Sequence, residues 1–354
     1  MYSFNIIDIW PYFVIALVFI TCYTFNIKKS SLALFYTLFL FLALRYDVGW
    51  DYFAYREEIQ SGIINDRYEL LSKWILNIAV YLNFYPIAFI LFAFITLFFV
   101  KIAIEKYSTL PIYSWLVYYA FPFFFFASLS TIRQAAAMSV LLYSFQFAKE
   151  KQYVKFFLTV YIASLFHQSA IVGVLILPLV LFPINRFYNL LLFAASFGFG
   201  IVLKDFVTNF SVNVLGFTRF QEYINAEIAS STSLQYVYYA VTLFNLIFFN
   251  ALIKVDGLNK IYITLSNFGV VLFNTISFEP VTAGRISAFF MIFWIFIFPG
   301  YAMLFKKYKI INHLLFFLLL SLTFVFVFIY ISAYNRGIIE KVSLLPYKFW
   351  FDNL

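Results

Sequence analysis

Pro86-Ile87-Ala88-Phe89-Ile90-Leu91-Phe92-Ala93-Phe94-Ile95-Thr96-Leu97-Phe98-Phe99-Val100 contains no charged residue, and after Lys101 the apolar run continues to Ile104. At about 1.5 Å per helical residue, such a run is long enough to cross the roughly 30 Å hydrocarbon core of a bilayer. Lipid offers a backbone no hydrogen-bond partner, so the segment must satisfy its own N–H and C=O groups, which a helix does. Barrel strands would instead alternate polar and apolar residues over about ten positions.

Similar runs recur from end to end. The 354 residues are 64% hydrophobic and 11% charged, with a mean hydropathy of +0.91, whereas about a quarter of a soluble domain is charged. The chain reads as an all-α polytopic membrane protein with about twelve crossings, eleven to thirteen by the spacing of apolar runs. The expected spans are Ile7–Phe25, Leu32–Leu44, Pro86–Ile104, Pro111–Ala127, Ile132–Phe147, Tyr153–Phe166, Ser169–Phe182, Tyr188–Leu203, Leu234–Ile253, Leu258–Phe278, Ile286–Phe305 and Ile311–Ser332. Residues 69–83 carry Lys73, Asn77 and an apolar stripe, which suits an interfacial or re-entrant helix. No separate domain interrupts residues 1–354, which read as one integral membrane domain. The first span reads as uncleaved, and the single cysteine, Cys22, as a small core residue within it.

The net charge of +8 is spread over many short loops and forms no stripe for a phosphate backbone, which argues against nucleic acid. Lysines follow the rule that places positive charge in the cytoplasm. With twelve crossings, one side carries Lys28, Lys29, Lys101, Lys106, Lys149, Lys151, Lys155, Lys254, Lys260, Lys306, Lys307 and Lys309, with Arg186 its only arginine. Both termini, the loops 45–68 and 204–233 and the tail 333–354 then lie outside. That outer side also holds Arg45, Arg56, Arg67, Arg133, Arg219, Arg285 and Arg336. Seven arginines placed against the rule suggest recognition of an anion, because a planar guanidinium matches phosphate or carboxylate. Pairing with Asp47, Asp51, Glu57 and Glu58 is the structural alternative for some of them.

Four constellations stand on that side. In Arg45-Tyr46-Asp47-Val48-Gly49-Trp50-Asp51-Tyr52-Phe53-Ala54-Tyr55, a helix from Asp47 would set Asp47, Asp51 and Tyr55 on one face. Arg45 would bind an anion, Asp51 or Asp47 would act as a base, and the interleaved aromatics Tyr52 and Tyr55 would stack on sugars. In Ser128-Leu129-Ser130-Thr131-Ile132-Arg133-Gln134, hydroxyls suit a helix cap and Arg133 falls in the first turn. A cation is unfavourable at that end of a helix unless an anion joins it. In Phe166-His167-Gln168-Ser169, the histidine suits proton transfer or a hydrogen bond to phosphate. In Glu279-Pro280-Val281-Thr282-Ala283-Gly284-Arg285, the arginine again begins a helix, with Glu279 as its partner or a second base. No Cys/His metal spacing and no Walker loop are present, so no metal and no cofactor are expected.

At these residues the sequence resembles the EpsG family of polysaccharide polymerases, which includes many Wzy O-antigen polymerases. The resemblance rests on Arg45–Tyr52, Ile132-Arg133-Gln134, Ala163–Ala170, Gly284-Arg285-Ile286 and Pro346-Tyr347-Lys348-Phe349. It implies a GT-C-like, metal-independent glycosyltransferase of the bacterial inner membrane with its site on the periplasmic face. The implied substrate is an undecaprenyl-diphosphate-linked oligosaccharide, and the growing glycan moves onto the non-reducing end of a new lipid-linked repeat unit. Membrane lipids, a chain-length regulator and a flippase are the expected partners. Arg133, Arg285 and Arg45 would hold the diphosphate; Asp51, Asp47 or His167 would take the acceptor proton; Tyr52, Tyr55, Gln134 and Glu279 would contact sugar. The product would be O-antigen, or capsule or exopolysaccharide for a polymerase of the same family. A flippase for the same lipid-linked sugar is the main competitor, and it would need charge deep within its spans. A membrane acyltransferase would want a histidine near a cytoplasmic acyl donor, where His313 is a poor candidate. A non-enzymatic assembly partner would not need the arginines.

Overall fold

The computed structural model describes residues 6–214, 233–337 and 344–353. Arg219, Lys341 and most of the 204–233 loop therefore lie outside the described residues. In chain order the helices are α1 (Trp10–Thr24), α2 (Ser30–Ala43), α3 (Tyr52–Ser61), α4 (Leu70–Tyr81), α5 (Pro86–Tyr107), α6 (Pro111–Ala120), α7 (Ala127–Ser130), α8 (Ile132–Lys149) and α9 (Tyr153–Ser164). There follow α10 (Ile176–Leu181), α11 (Arg186–Val202), α12 (Lys204–Asn213), α13 (Ser233–Ile247), α14 (Phe249–Val255), α15 (Asn259–Thr275), α16 (Pro280–Met291), α17 (Trp294–Leu304) and α18 (Lys309–Asn335). Two short strands, β1 (Arg45–Tyr46) and β2 (Lys348–Phe349), pair antiparallel, with Arg45 opposite Phe349.

Membrane-crossing length is distributed differently from the apolar runs. Among the described residues, α5 and α18 are each long and apolar enough to cross a membrane, and there are up to six such spans if each of four sharply bent helix pairs is one. The expected span Pro111–Ala127 is such a pair, bent by 64°. Its cause is Pro122: the residue before a proline is pushed to extended backbone, and Phe121 has φ −84° and ψ 127°. A π-helical turn, Pro122–Phe126, then carries the chain into α7. The expected span Ser169–Phe182 is likewise composite, a 3-10 segment Gln168–Leu175 followed by the six-residue α10. The stretch 69–83 contains α4, which buries Ser72, Ile75, Leu76 and Ala79 and exposes Leu70, Trp74, Ile78 and Tyr81.

The chain divides into two compact units. The first comprises Met1–Ser144, Val154–Ile171 and Phe305–Leu354; the second comprises Phe145–Tyr153 and Val172–Leu304. In the first, α2 packs on α5 and α18 on α6, around rings such as Tyr12, which stacks on Phe126 at 5.8 Å and meets Phe41 edge-on at 5.0 Å. The tail is strapped to this core: the Tyr12 hydroxyl donates to the Leu344 carbonyl at 2.9 Å, and Trp350 N–H to the Leu44 carbonyl at 2.9 Å.

In the second unit, α11 and α15 share a polar seam. Asn267 donates to Asn189, and Asn274 to Ser196 at 2.7 Å. On each helix these positions are seven residues apart, about two turns, so one face of each carries both pairs. Side-chain amides joining apolar helices act as glue where the hydrophobic effect is weak. Gly269 and Gly200 let backbones approach: a Cβ on Gly269 would meet Ser287 O at 2.9 Å, and one on Gly200 would meet Asn274 O at 2.6 Å.

The tightest approach in the first unit is at Gly49, whose φ is +106° and whose added Cβ would lie 1.8 Å from the Leu129 carbonyl oxygen. Gly49→Ala is therefore expected to destabilise the protein by about 2 to 4 kcal/mol through backbone strain and overpacking. Thermal melting of the detergent-solubilised chain checks this, with an unchanged midpoint contradicting the contact.

Candidate functional site

The first unit assembles its polar groups around the turn after α2. Arg45 is 2% exposed, and each of its nitrogens donates to a main-chain carbonyl: Nε to Val48 at 3.0 Å, Nη2 to Leu129 at 3.3 Å and Nη1 to Leu42. The guanidinium also lies 4.9 Å from the centre of the Phe89 ring. Burial lowers its pKa to about 10, against the raising influence of Tyr347, Tyr52 and Tyr55, so the charge persists at neutral pH. This differs from the expected diphosphate ligand, because the donors a phosphate would need are already taken by the backbone. The same turn is fastened once more by Trp50 N–H, which donates to Ser130 Oγ at 3.0 Å.

That fastening fixes where α8 begins. Arg133 lies in its first turn, as the hydroxyl-rich approach predicts. Its Nε donates to the Tyr55 hydroxyl at 3.0 Å, its Nη1 forms an ion pair with Glu69 Oε2, and its guanidinium carbon sits 4.2 Å from the centre of the Tyr68 ring. Tyr68 in turn donates to Glu58 Oε1 at 2.8 Å. The other Glu69 oxygen accepts from Gln168 N–H at 2.9 Å, beside His167. Burial raises the pKa of Tyr55, and the charges of Asp51 and Glu69 push it the same way while Arg133 opposes them. One patch thus gathers Asp51, Tyr55, Tyr68, Glu69, Arg133 and the His167 turn.

The remaining expectations need correction in detail. The helix starts at Tyr52 with Asp51 as its N-cap residue, and Asp47 sits before it at φ +53°. Asp47, Asp51 and Tyr55 therefore do not share a helical face. Tyr52 is 1% exposed and stacks on Phe89 at 4.7 Å, and Tyr55 is 4% exposed. Neither presents a ring to a sugar, and Gln134 is also buried. The aromatic that the motif leaves exposed is Trp50, at 43%. His167 Nδ1 and Ser169 Oγ are hydrogen-bonded at 2.7 Å, which orders a pair that the sequence leaves unordered. In the second unit, Arg285 lies within the first two turns of α16. Glu279 caps that helix, accepting from Val281 N–H at 3.1 Å and Thr282 N–H at 2.6 Å. Both Glu279 oxygens are thus engaged in capping the helix, and the residue is 2% exposed. Sequence reading misses Glu69 and Tyr68 as site residues; the available signal is an acid placed just before an amphipathic helix.

A model of the EpsG family matches residues 28–349, nearly the whole chain. The chain belongs to the EpsG family. Members of this family are Wzy-type polymerases, and an EpsG-family chain is accordingly a polysaccharide-polymerase type of multi-pass membrane protein. No curated protein and no solved structure matches the chain. Among its described residues, no three His, Cys, Asp or Glu side chains gather as metal ligands.

The geometry separates Arg45 from Arg133 by test. Lysine offers one donor centre and cannot span three carbonyls, so Arg45→Lys is expected to lower stability by about 2 to 4 kcal/mol. A variant that melts like the wild type but loses turnover would instead make Arg45 a substrate ligand.

Proposed function

We propose that this EpsG-family chain polymerises lipid-linked repeat units at the periplasmic face of the bacterial inner membrane, with about twelve crossings and a GT-C-like architecture. The observation that carries the reading is Arg133: a largely buried guanidinium fixed on two sides and from below by Glu69, Tyr55 and Tyr68, with its Nη2 nitrogen not engaged by any of them. A cation held this way suits the diphosphate of a lipid-linked glycan, because a preorganised donor stabilises charge on a leaving group without reorganising as the reaction proceeds.

In the step, the acceptor hydroxyl oxygen bonds to the anomeric carbon of the growing glycan. The bond from that carbon to the diphosphate oxygen breaks, and undecaprenyl diphosphate leaves with the electron pair, its new charge facing Arg133. Asp51, whose charge is felt at the Tyr55 hydroxyl beside Arg133, takes the hydroxyl proton. Trp50 is the exposed ring of the same motif and is the better candidate to stack on the acceptor sugar. Arg285 belongs to the second unit, and this mechanism does not depend on it.

The test is reconstitution in liposomes with undecaprenyl-diphosphate-linked repeat units and no nucleotide. A ladder of longer glycans is expected, and Arg133→Lys should reduce it by at least about tenfold, roughly the value of one lost charge-assisted contact. Movement of the lipid-linked sugar between leaflets without a ladder would replace the polymerase by a flippase.

A further inference from the structure

Glu69 is an unexpected neighbour for an anion site. If attraction alone mattered, a carboxylate against Arg133 would be a defect, since it cancels the charge the ligand needs. Its geometry indicates another use. The two oxygens go to different parts of the chain, Oε2 to Arg133 in α8 and Oε1 to Gln168 N–H after α9. The next residues continue the same attachment: Leu71 N–H donates to the Leu165 carbonyl at 3.0 Å, and Ser72 Oγ to the Phe166 carbonyl at 2.8 Å. The start of α4 is thereby laced to residues 165–168, and Glu69 extends that lacing to the guanidinium.

Arg133 is constrained on each remaining side. Tyr55 accepts from Nε, Tyr68 lies beneath the plane, and Glu69 holds Nη1. A guanidinium on a long side chain otherwise samples many rotamers, and fixing its plane before the ligand arrives removes that entropy from the binding step. Tyr68 is itself held by Glu58, so the support extends to a second layer. Nη2 engages none of these groups, and it is not among the buried nitrogens that lack a partner. It is the edge left for a ligand.

We propose that Glu69 is a positioning residue: it sets the plane of the Arg133 guanidinium so that its Nη2 edge meets a diphosphate, and it holds the His167 turn beside that edge. This rests on the reading of Arg133 as the diphosphate-binding group. Orientation outweighs charge here, so the neutral isostere should impair the site. In Glu69→Gln the amide nitrogen cannot accept a hydrogen bond, and one of the two partners is lost.

The experiment is calorimetric titration of the purified full chain in detergent with inorganic pyrophosphate, followed by turnover of the lipid-linked repeat unit in liposomes. Wild type should bind pyrophosphate and Arg133→Ala should not; equal binding by both would remove the anion site itself, independently of Glu69. Given that difference, Glu69→Gln is expected to bind on the order of tenfold more weakly, a loss typical of one charge-assisted hydrogen bond. In turnover, Glu69→Gln should lower kcat more than it raises KM, the pattern of lost transition-state stabilisation. Tyr55→Phe removes a separate restraint on Nε without touching α4, and it should weaken binding several-fold even if the Glu69 variants unfold. Equal or tighter pyrophosphate binding by Glu69→Gln overturns the proposal, as does wild-type binding by Tyr55→Phe when the Glu69 variants do not fold.

Discussion

A guanidinium that gives every nitrogen to main-chain carbonyls organises the first unit. Leu42, Val48 and Leu129 present carbonyls that no helix or strand satisfies with its own ladder, and Arg45 answers all three. Burying a charge is expensive unless it is hydrogen-bonded throughout, and here the deficit of the carbonyls and the excess of the cation cancel. The end of α2, the turn after it and the break before α8 are joined at one point. Gly49 then rests against the Leu129 carbonyl where no side chain fits, Trp50 fastens to Ser130, and β2 pairs with Arg45 and Tyr46.

The position of Arg133 follows from that junction. A helix continuing unbroken from α7 would use the Leu129 carbonyl to accept from the N–H four residues on, at Arg133. Because Arg45 draws on that carbonyl instead, α7 ends and α8 starts afresh at Ile132. Arg133 emerges in the first turn of a new helix, next to Tyr55 on α3 and Glu69 at the start of α4. Residues of three separate helices are thus brought together by the satisfaction of backbone groups, and the side-chain chemistry is built on the result.

This explains which features the sequence discloses and which it hides. An apolar run announces a helix, and a hydroxyl-rich approach announces the start of α8, because both are local. The kink at Phe121 is also local, and Pro122 carries the signal, yet counting apolar residues passes over it. Arg45 and Arg133 cannot be told apart in this way. They are the same residue in similar motifs at the ends of apolar runs, and only the packing decides that one meets carbonyls and the other a carboxylate and a ring. Tyr52 and Tyr55 mislead for a related reason: aromatic residues beside acids suit a sugar equally well on paper, but α3 turns both inward and leaves Trp50 exposed. Glu279 shows the same dependence on packing: in sequence it is an acid beside an arginine, and in the fold it caps the helix that follows it.

The two arginines also show two ways in which a membrane protein can hold a buried or half-buried positive charge. Arg45 is held by main-chain dipoles and the face of the Phe89 ring, so it keeps its formal charge and contributes a steady positive potential near the turn. Arg133 is paired, so its local charge is nearly balanced and its value lies in direction. On the proposed reading, a diphosphate would be drawn by a field to which the buried residue contributes and would dock against the edge that the paired residue presents. Neither arginine could take the other's part: without three carbonyls Arg133 would not organise a turn, and without an open edge Arg45 could not meet a ligand.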